Sequence, residues 1–287
     1  MKARNFRYIR PRTLAQALQV LAEGGSDAVA IAGGQSLLPA LNMRLSAPKL
    51  LVDIGNLEEL RGHSQHGDFV RLGALTRHCE LLHSDLVRRH VPLLTQAAPH
   101  IGHIAIRNRG TLGGSLAYAD PAAELPACVV ALGATLVLAS LAGEREVKAE
   151  QFYKGLFETD LQPGELILAV KIAVPSEETT AGFAELTRRH GDFAMVGLAM
   201  VATVRRRKFE SGRLVYFGCV DQPRLAVSVS RAIAGMTLPL RDEVFEAAIP
   251  EDLAPGDTPG LRADTKLHFA KVLTRRVLKS VLERAVA

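Results

Sequence analysis

The chain has 287 residues, 48% of them hydrophobic, which is enough to bury a sizeable core and favours two or three compact units over one. The formal net charge is +5, but residues 1–180 hold 18 basic and 18 acidic residues, so the whole surplus lies in the C-terminal part. With Trp absent and aromatic residues at 5%, platforms for stacking bases are poorly supplied, and nucleic acid is excluded as the main partner.

Residues 1–54 read as a small α/β unit. Phe6–Ile9 is a short strand ending at Pro11, and Thr13 is an N-cap for a helix from Leu14 to Ala22, with Leu14, Ala17, Leu18 and Leu21 on one face. Gly24-Gly25 ends that helix. Ala28–Ile31 is a buried-type strand running into Gly33-Gly34, and Leu50–Ile54 is the next strand after a short helical stretch. Arg4, Arg7, Arg10, Arg12 and Glu23 interrupt the first thirty residues, and no stretch approaches the roughly 18 apolar residues of a membrane span. The expectation is therefore a cytoplasmic protein without a signal peptide.

Residues 55–177 form the second unit. Phe69–Gly73 alternates as a strand, Thr76 caps a helix running through Val87, and Pro92–Ala98 is helical again. After a glycine-rich stretch, Leu125–Leu132 reads as a helix, and Thr135–Leu138 and Leu166–Val170 as strands. The polar run Pro175–Thr180 sets the boundary to a third unit, 178–287. There Gly182–Thr187, Ala194–Val204 and Leu214–Val220 predict a three-stranded antiparallel meander. Arg205-Arg206-Arg207-Lys208, followed by Glu210-Ser211-Gly212, reads as its solvated hairpin tip, the alternative being a basic patch that docks a partner subunit. The last helix, from about Asp264, carries a packing stripe of Leu267, Ala270, Val277, Leu278, Val281 and Leu282. Cys79, Cys128 and Cys219 stand far apart and outside any C-x-x-C pairing, so an iron–sulfur cluster or disulfide framework on this chain is not expected.

Two glycine loops carry the functional information. Ala32-Gly33-Gly34-Gln35-Ser36-Leu37-Leu38 and Thr111-Leu112-Gly113-Gly114-Ser115 each place paired glycines beside a hydroxyl residue, where bare backbone can approach an anion and successive N–H groups can converge on it. Ser36 is a cap for the short helix that follows. Neither loop is a Gly-x-Gly-x-x-Gly fingerprint, no Gly-Lys-Ser/Thr follows them, and there is no Gly-x-Ser-x-Gly elbow. Asp120-Pro121 alone reads equally as a turn or a polar ligand contact, and His100 and His103 read as surface or packing histidines. No Ser/His/Asp or Cys/His constellation nominates a catalytic side chain.

The run from Ile106 to Pro126, IRNRGTLGGSLAYADPAAELP, resembles the signature of the medium, flavin-binding subunits of molybdenum hydroxylases, the family of carbon monoxide dehydrogenase and xanthine dehydrogenase. Ala32–Leu38 is similar to the first flavin loop of that family, and Arg188–Ala194 to a segment near the start of its C-terminal domain. The resemblance implies a two-part FAD-binding fold of the vanillyl-alcohol-oxidase (PCMH) type, α+β in class, made of the first two units, with a C-terminal α+β domain beside it. It implies FAD as this chain's cofactor, held by Ala32, Gly33, Gly34, Gln35, Ser36, Leu37, Gly110, Thr111, Gly114, Ser115 and Tyr118. Ile101 and Ile167 would then lie near the isoalloxazine, with Leu161 lining the pocket, Asp120 and Glu124 as polar contacts, and Phe193 shielding a flavin face. Glu185 stands where some relatives have lysine. The implied role is electron relay within a dimer of heterotrimers. Electrons would pass from a molybdopterin cofactor on a large subunit, through [2Fe-2S] clusters on a small one, to this FAD and then to an external acceptor. A self-sufficient FAD oxidoreductase and a non-enzymatic nucleotide-binding scaffold are the competing readings.

Overall fold

The computed structural model describes residues 2–285. Three short strands, β1 (Arg7–Ile9), β2 (Ala28–Ile31) and β3 (Leu50–Asp53), form a parallel sheet in the order β1-β3-β2. The helix Leu14–Gly24 joins β1 to β2; the Thr13 hydroxyl caps it, accepting from the Gln16 N–H at 3.2 Å, and Gly25 stops it at φ +51°. Its buried residues Ala17, Leu18 and Leu21 share a core with Val52 and Ile54, and also with Val137, Ala139, Leu166 and Leu168 from the next sheet.

That next sheet is antiparallel and five-stranded. It contains β4 (His63–His66), β5 (Phe69–Gly73), β6 (Thr135–Ser140) and β7 (Gly143–Lys148). After a ribbon of β8 (Tyr153–Gly155) and β9 (Glu158–Thr159) it is completed by β10 (Leu166–Ala173), giving the order β4-β5-β10-β6-β7. The edge strands β4 and β7 escape the sequence reading because their residues, HSQH and GEREVK, are polar, as suits edges that must not pair further. A register shift between Ile167 and Ala169 lets Leu168 and Ala169 both face the first unit, while Ile167, Val170 and Ile172 face the helices on the other side. The helix expected from Thr76 to Val87 is two helices, His78–His83 and Asp85–His90. The Thr76 hydroxyl donates to the Gly62 carbonyl instead of capping, and Ser84 starts the second helix, its hydroxyl accepting from the Val87 N–H at 3.3 Å.

The third sheet runs β11 (Thr179–Leu186), β12 (Val196–Arg205), β13 (Lys208–Phe217) and β14 (Arg224–Leu225), all antiparallel. The expected meander thus gains a fourth strand of two residues, too short to leave a pattern. β12 is apolar on both sides because both are covered. Ala199 joins the core built with the second unit's helices, while Val196, Leu198 and Met200 pack under the final helix, Ala263–Arg284, against Val277, Leu278 and Val281. None of the described helices is long and apolar enough to cross a membrane.

The basic run is a hairpin tip: Arg205 pairs with Lys208, and Arg206 and Arg207 make the turn at φ +52° and +65°. Two positive φ values are the two-residue turn that Asn-Gly adopts most easily, whereas left-handed backbone costs other residues about 1 kcal/mol each. Arg205 is tied down by Glu178 through hydrogen bonds of 2.7 and 2.6 Å. Replacing Arg206-Arg207 with Asn-Gly should raise unfolding free energy by about 1 kcal/mol, seen as a higher urea midpoint at constant slope. An unmoved midpoint would show that the turn is not strained.

Candidate cofactor site

A cavity of about 550 Å³ opens between the first sheet and the second, within the span of roughly 300–1,000 Å³ usual for ligand pockets. The structure brings all the residues nominated from sequence to its walls. Ala32, Gly33, Gly34, Gln35, Ser36 and Leu37 come from the loop after β2; Gly110, Thr111, Gly114, Ser115 and Tyr118 come from the second loop and its helix. Ile101, Asp120, Glu124, Leu161, Ile167 and Phe193 line the remainder.

The glycines of the two loops do different work. Gly34 lies at φ +71°, in the left-handed region that a glycine reaches without strain. A Cβ on Gly33 would stand 2.1 Å from the Arg109 carbonyl oxygen and 3.0 Å from the Gly110 Cα, so this glycine lets the two loops touch. Gly110 fits under the His78 ring, and Gly113 against Ala74, where added Cβ atoms would come within 2.7 and 2.6 Å. At Gly114 a Cβ would meet only the Thr111 hydroxyl, at 2.8 Å; that hydroxyl caps the helix Leu112–Tyr118 by accepting from the Gly114 N–H at 3.2 Å. Left-handed backbone therefore explains Gly34 and open space toward the cavity Gly114, whereas protein-to-protein packing explains Gly33, Gly110 and Gly113. The expected Ser36 cap is not made: Ser36 precedes the helix Leu37–Asn42, but its hydroxyl caps no N–H and stays exposed. The Gln35 amide folds back to donate to the Gly33 carbonyl at 3.0 Å.

At the other end of the cavity the walls are apolar and acidic. Arg107 donates to the carbonyls of Pro99, Ile101 and Gly102 at 3.3, 3.1 and 2.7 Å, fixing the turn that presents Ile101. Arg145 on β7 grips Glu165 through two bonds of 2.7 Å, and the side chain and carbonyl of Asp160 at 2.7 and 2.8 Å, so the Leu161 loop is clamped at both ends. Tyr118 packs edge-on against Phe157, and Phe193, 74% exposed, stands at the mouth. One oxygen of Asp120 closes the ordinary Asp-Pro turn, accepting from the Ala122 N–H at 2.9 Å; burial raises its carboxyl pKa. Glu124 begins the helix Glu124–Ala131 and is buried; burial first, then the charges of Glu185 and Asp120, push its carboxyl up to about 8, so it is an uncharged acid at neutral pH.

Sequence reasoning missed His78. Its ring is buried in the cavity wall, neither ring nitrogen has a protein partner, and burial pushes its pKa down to about 4, so it is a neutral imidazole with a free donor and acceptor. The one clue, a histidine two residues beyond Thr76, was hidden by reading that threonine as a cap. An orphaned imidazole, a neutral acid and two glycine loops are a donor set that fits FAD, whose pyrophosphate accepts hydrogen bonds and whose ring edge both donates and accepts them. His100 is a packing and surface residue, its Nδ1 3.2 Å from a Glu185 oxygen and its ring against Phe183.

Residues 4–176 match the family described as "FAD binding domain in molybdopterin dehydrogenase", and residues 181–281 match "CO dehydrogenase flavoprotein C-terminal domain". The chain is 35% identical to the caffeine dehydrogenase subunit beta of Pseudomonas sp. (strain CBB1), covering 100% of this chain and 98% of that one. It is 37% identical to the carbon monoxide dehydrogenase medium chain of Hydrogenophaga pseudoflava over 97% and 98% of the two chains. Its fold superposes on a chain of quinoline 2-oxidoreductase from Pseudomonas putida 86 with a TM-score of 0.93, 36% identity and full coverage of both. The chain belongs to the family of FAD-binding flavoprotein subunits of molybdenum hydroxylases. It is an oxidoreductase component whose cofactor is FAD.

Two expectations follow from the site. Gly33→Ala should force the loops apart at Arg109 and weaken FAD retention about tenfold, a loss of ~1.4 kcal/mol, measured by fluorescence titration of released flavin; retention at the original level would mean that the loop contact does not shape the site. Glu124 has a folded pKa of about 8 against 4.5 unperturbed, so the folded state binds the extra proton between those values. Stability should therefore fall as pH rises from about 4.5 to 8, and Glu124→Gln should flatten that slope in thermal melts of the isolated chain.

Proposed function

We propose that this chain is the electron relay of a cytoplasmic molybdenum hydroxylase, accepting electrons from [2Fe-2S] clusters on a small subunit and passing them to an external acceptor. Those clusters are in turn supplied from the molybdopterin cofactor of a large subunit, in a dimer of heterotrimers. The observation that carries the reading is the convergence of both glycine loops, the two isoleucines and the two acids on one cavity between the first two sheets. The units 1–54 and 55–177 would each supply one loop, and 178–287 would close the acidic end.

Bound there, FAD supplies the ability to take electrons singly and release them in pairs. The backbone N–H groups of Gly34-Gln35-Ser36 and the Ser115 hydroxyl, with the free His78 nitrogen, would hold the pyrophosphate, while Gly114, whose own N–H is paired with Thr111, would let it come close. No Lys or Arg side chain is among the described residues lining the cavity, so neutral donors must meet the phosphate charge. Ile101, Ile167 and Leu161 would exclude water around the ring, Phe193 would shield it at the mouth, and Asp120 and Glu124 would be its polar contacts.

The test is an anaerobic absorption spectrum of material copurified through a tag on this chain, with mass identification of the released nucleotide. FAD bands together with iron–sulfur absorbance and two further polypeptides are expected. FAD on a lone polypeptide would replace the relay with a self-sufficient oxidoreductase, and partners without flavin would replace it with a scaffold.

A further inference from the structure

Glu185 carries a buried carboxyl group at the seam between the third sheet and the second unit. Along β11, Ala181 and Phe183 join the core of the second unit and Ala184 and Leu186 the core under the last helix, so alternation turns Glu185 toward the second unit. Its side chain is 4% exposed; one oxygen lies 3.2 Å from His100 Nδ1, and the other is buried with no protein partner. His100 is 37% exposed and reaches solvent. On the inner side, the helix that starts at Glu124 packs across β12 beside β11, and the thiol of Cys128, one turn along that helix, feels the charges of both Glu124 and Glu185. Glu124 itself lines the cavity. The groups that face this cluster are Asp120 and Cys128 from the Glu124 side, His100 from the turn Ala98–His100, and Tyr153, whose buried hydroxyl faces Cys128.

We propose that His100, Glu185 and Glu124 form a proton path from solvent to the acidic end of the FAD cavity. The inference rests on the relay reading above. Electrons that arrive from iron–sulfur centres bring no protons, and no Lys or Arg side chain is among the described residues lining the cavity to offset the incoming negative charge. Two buried acids make an added anion there more costly still. A proton must therefore accompany reduction. Glu124, held as the neutral acid, gives its proton into the cavity and becomes a carboxylate; His100 takes up a proton from water and hands it to Glu185, which passes it on to Glu124. Each transfer breaks one O–H or N–H bond and forms another, so the chain returns to its starting state with one proton moved from solvent to flavin per cycle. The electrons come from the partner's clusters, and on reoxidation by the acceptor the same path carries the proton out. The second Glu185 oxygen, buried without a hydrogen-bond partner, is free to carry the proton in transit.

The path is tested on the FAD-loaded protein as purified, by photoreduction in weakly buffered solution with a pH-indicator dye, so that partner subunits are not required. In the unmodified protein, dye response should track flavin bleaching. In Glu185→Gln and in His100→Gln, with FAD content unchanged, proton uptake should lag bleaching by about a hundredfold, the low end of what a positioned acid contributes. A second readout needs no reduction. The infrared band of a protonated carboxylic acid in the resting protein should vanish in Glu124→Gln and shift in Glu185→Gln. Uptake that still tracks bleaching in both the Glu185 and His100 variants, or a carboxylic-acid band untouched by Glu124→Gln, would overturn the path. Failure of the relay reading appears separately, as a protein that purifies without FAD or without its iron–sulfur partner.

Discussion

The site depends on a contact between two pieces of main chain. Gly33, from the first sheet, lies so close to the Arg109 carbonyl that even a methyl group would stand 2.1 Å from it. This contact brings two loops from separate sheets to one locus, and the cavity is the space left on either side of their junction. The loops are braced from behind: the His78 N–H donates to the Gly110 carbonyl, and the Leu112 and Gly113 N–H groups donate to the Thr76 and Ala74 carbonyls, all at 2.8–3.0 Å. Backbone groups paired in this way cannot turn toward a ligand, and the Gly114 and Ser115 N–H groups are likewise taken by the Thr111 hydroxyl and carbonyl at 3.2 and 3.0 Å, so the second loop is a braced wall and the N–H groups left to meet a ligand are those of the first loop.

The third unit determines where the acids sit. Arg213 on β13 donates to the Val130 and Ala131 carbonyls at 3.0 and 3.2 Å and pairs with Glu150, closing the C-terminal end of the helix that Glu124 begins. The Gly218 N–H donates to the Pro121 carbonyl at 2.7 Å, pinning the turn that carries Asp120. Behind these bonds, Phe217 stacks on Phe183 and covers Gly197, where a Cβ would lie 2.0 Å from the Phe217 ring. The sheet thus acts on the cavity without lining most of it. A substitution in the strand of Arg213 or Phe217 reaches the acids through the helix, not through the ligand.

Legibility from sequence followed the range of the forces involved. Helix starts such as Thr13 and the paired-glycine loops were readable because cap and turn chemistry is local, and the long final helix because its apolar period repeats over 22 residues. The polar edge strands β4 and β7 were not, since their side chains report solvent and not pairing. His78, Arg107 and Arg145 were invisible for a different reason: each matters through carbonyl or carboxylate partners 5 to 20 residues away or through the absence of any partner, and spacing carries no trace of that. Glu185, which stands where some relatives have lysine, carries a buried carboxyl side chain at a seam between units. The glycines teach a subtler lesson. The pattern located them correctly, but the physical reason differs from residue to residue, and Gly33 and Gly113 serve packing where ligand approach was expected.

The distribution of charge along the cavity gives the cofactor a direction. A pyrophosphate placed beside Asp120 and Glu124 would meet a buried carboxylate and an acid whose proton it would have to keep, with no cation nearby to offset either. Placed at the glycine loops it meets only neutral donors. The ring system would have the opposite preference, because its polar edge carries both donors and acceptors and its apolar faces would suit a wall of Ile101 and Ile167. Reversing the ligand would mismatch both ends at once, so orientation is selected by the difference between them and needs no single strong contact. The same asymmetry explains why a neutral acid is tolerated at the ring end. Each proton that leaves Glu124 creates a buried charge, and that charge lasts only until Glu185 and His100 replace the proton.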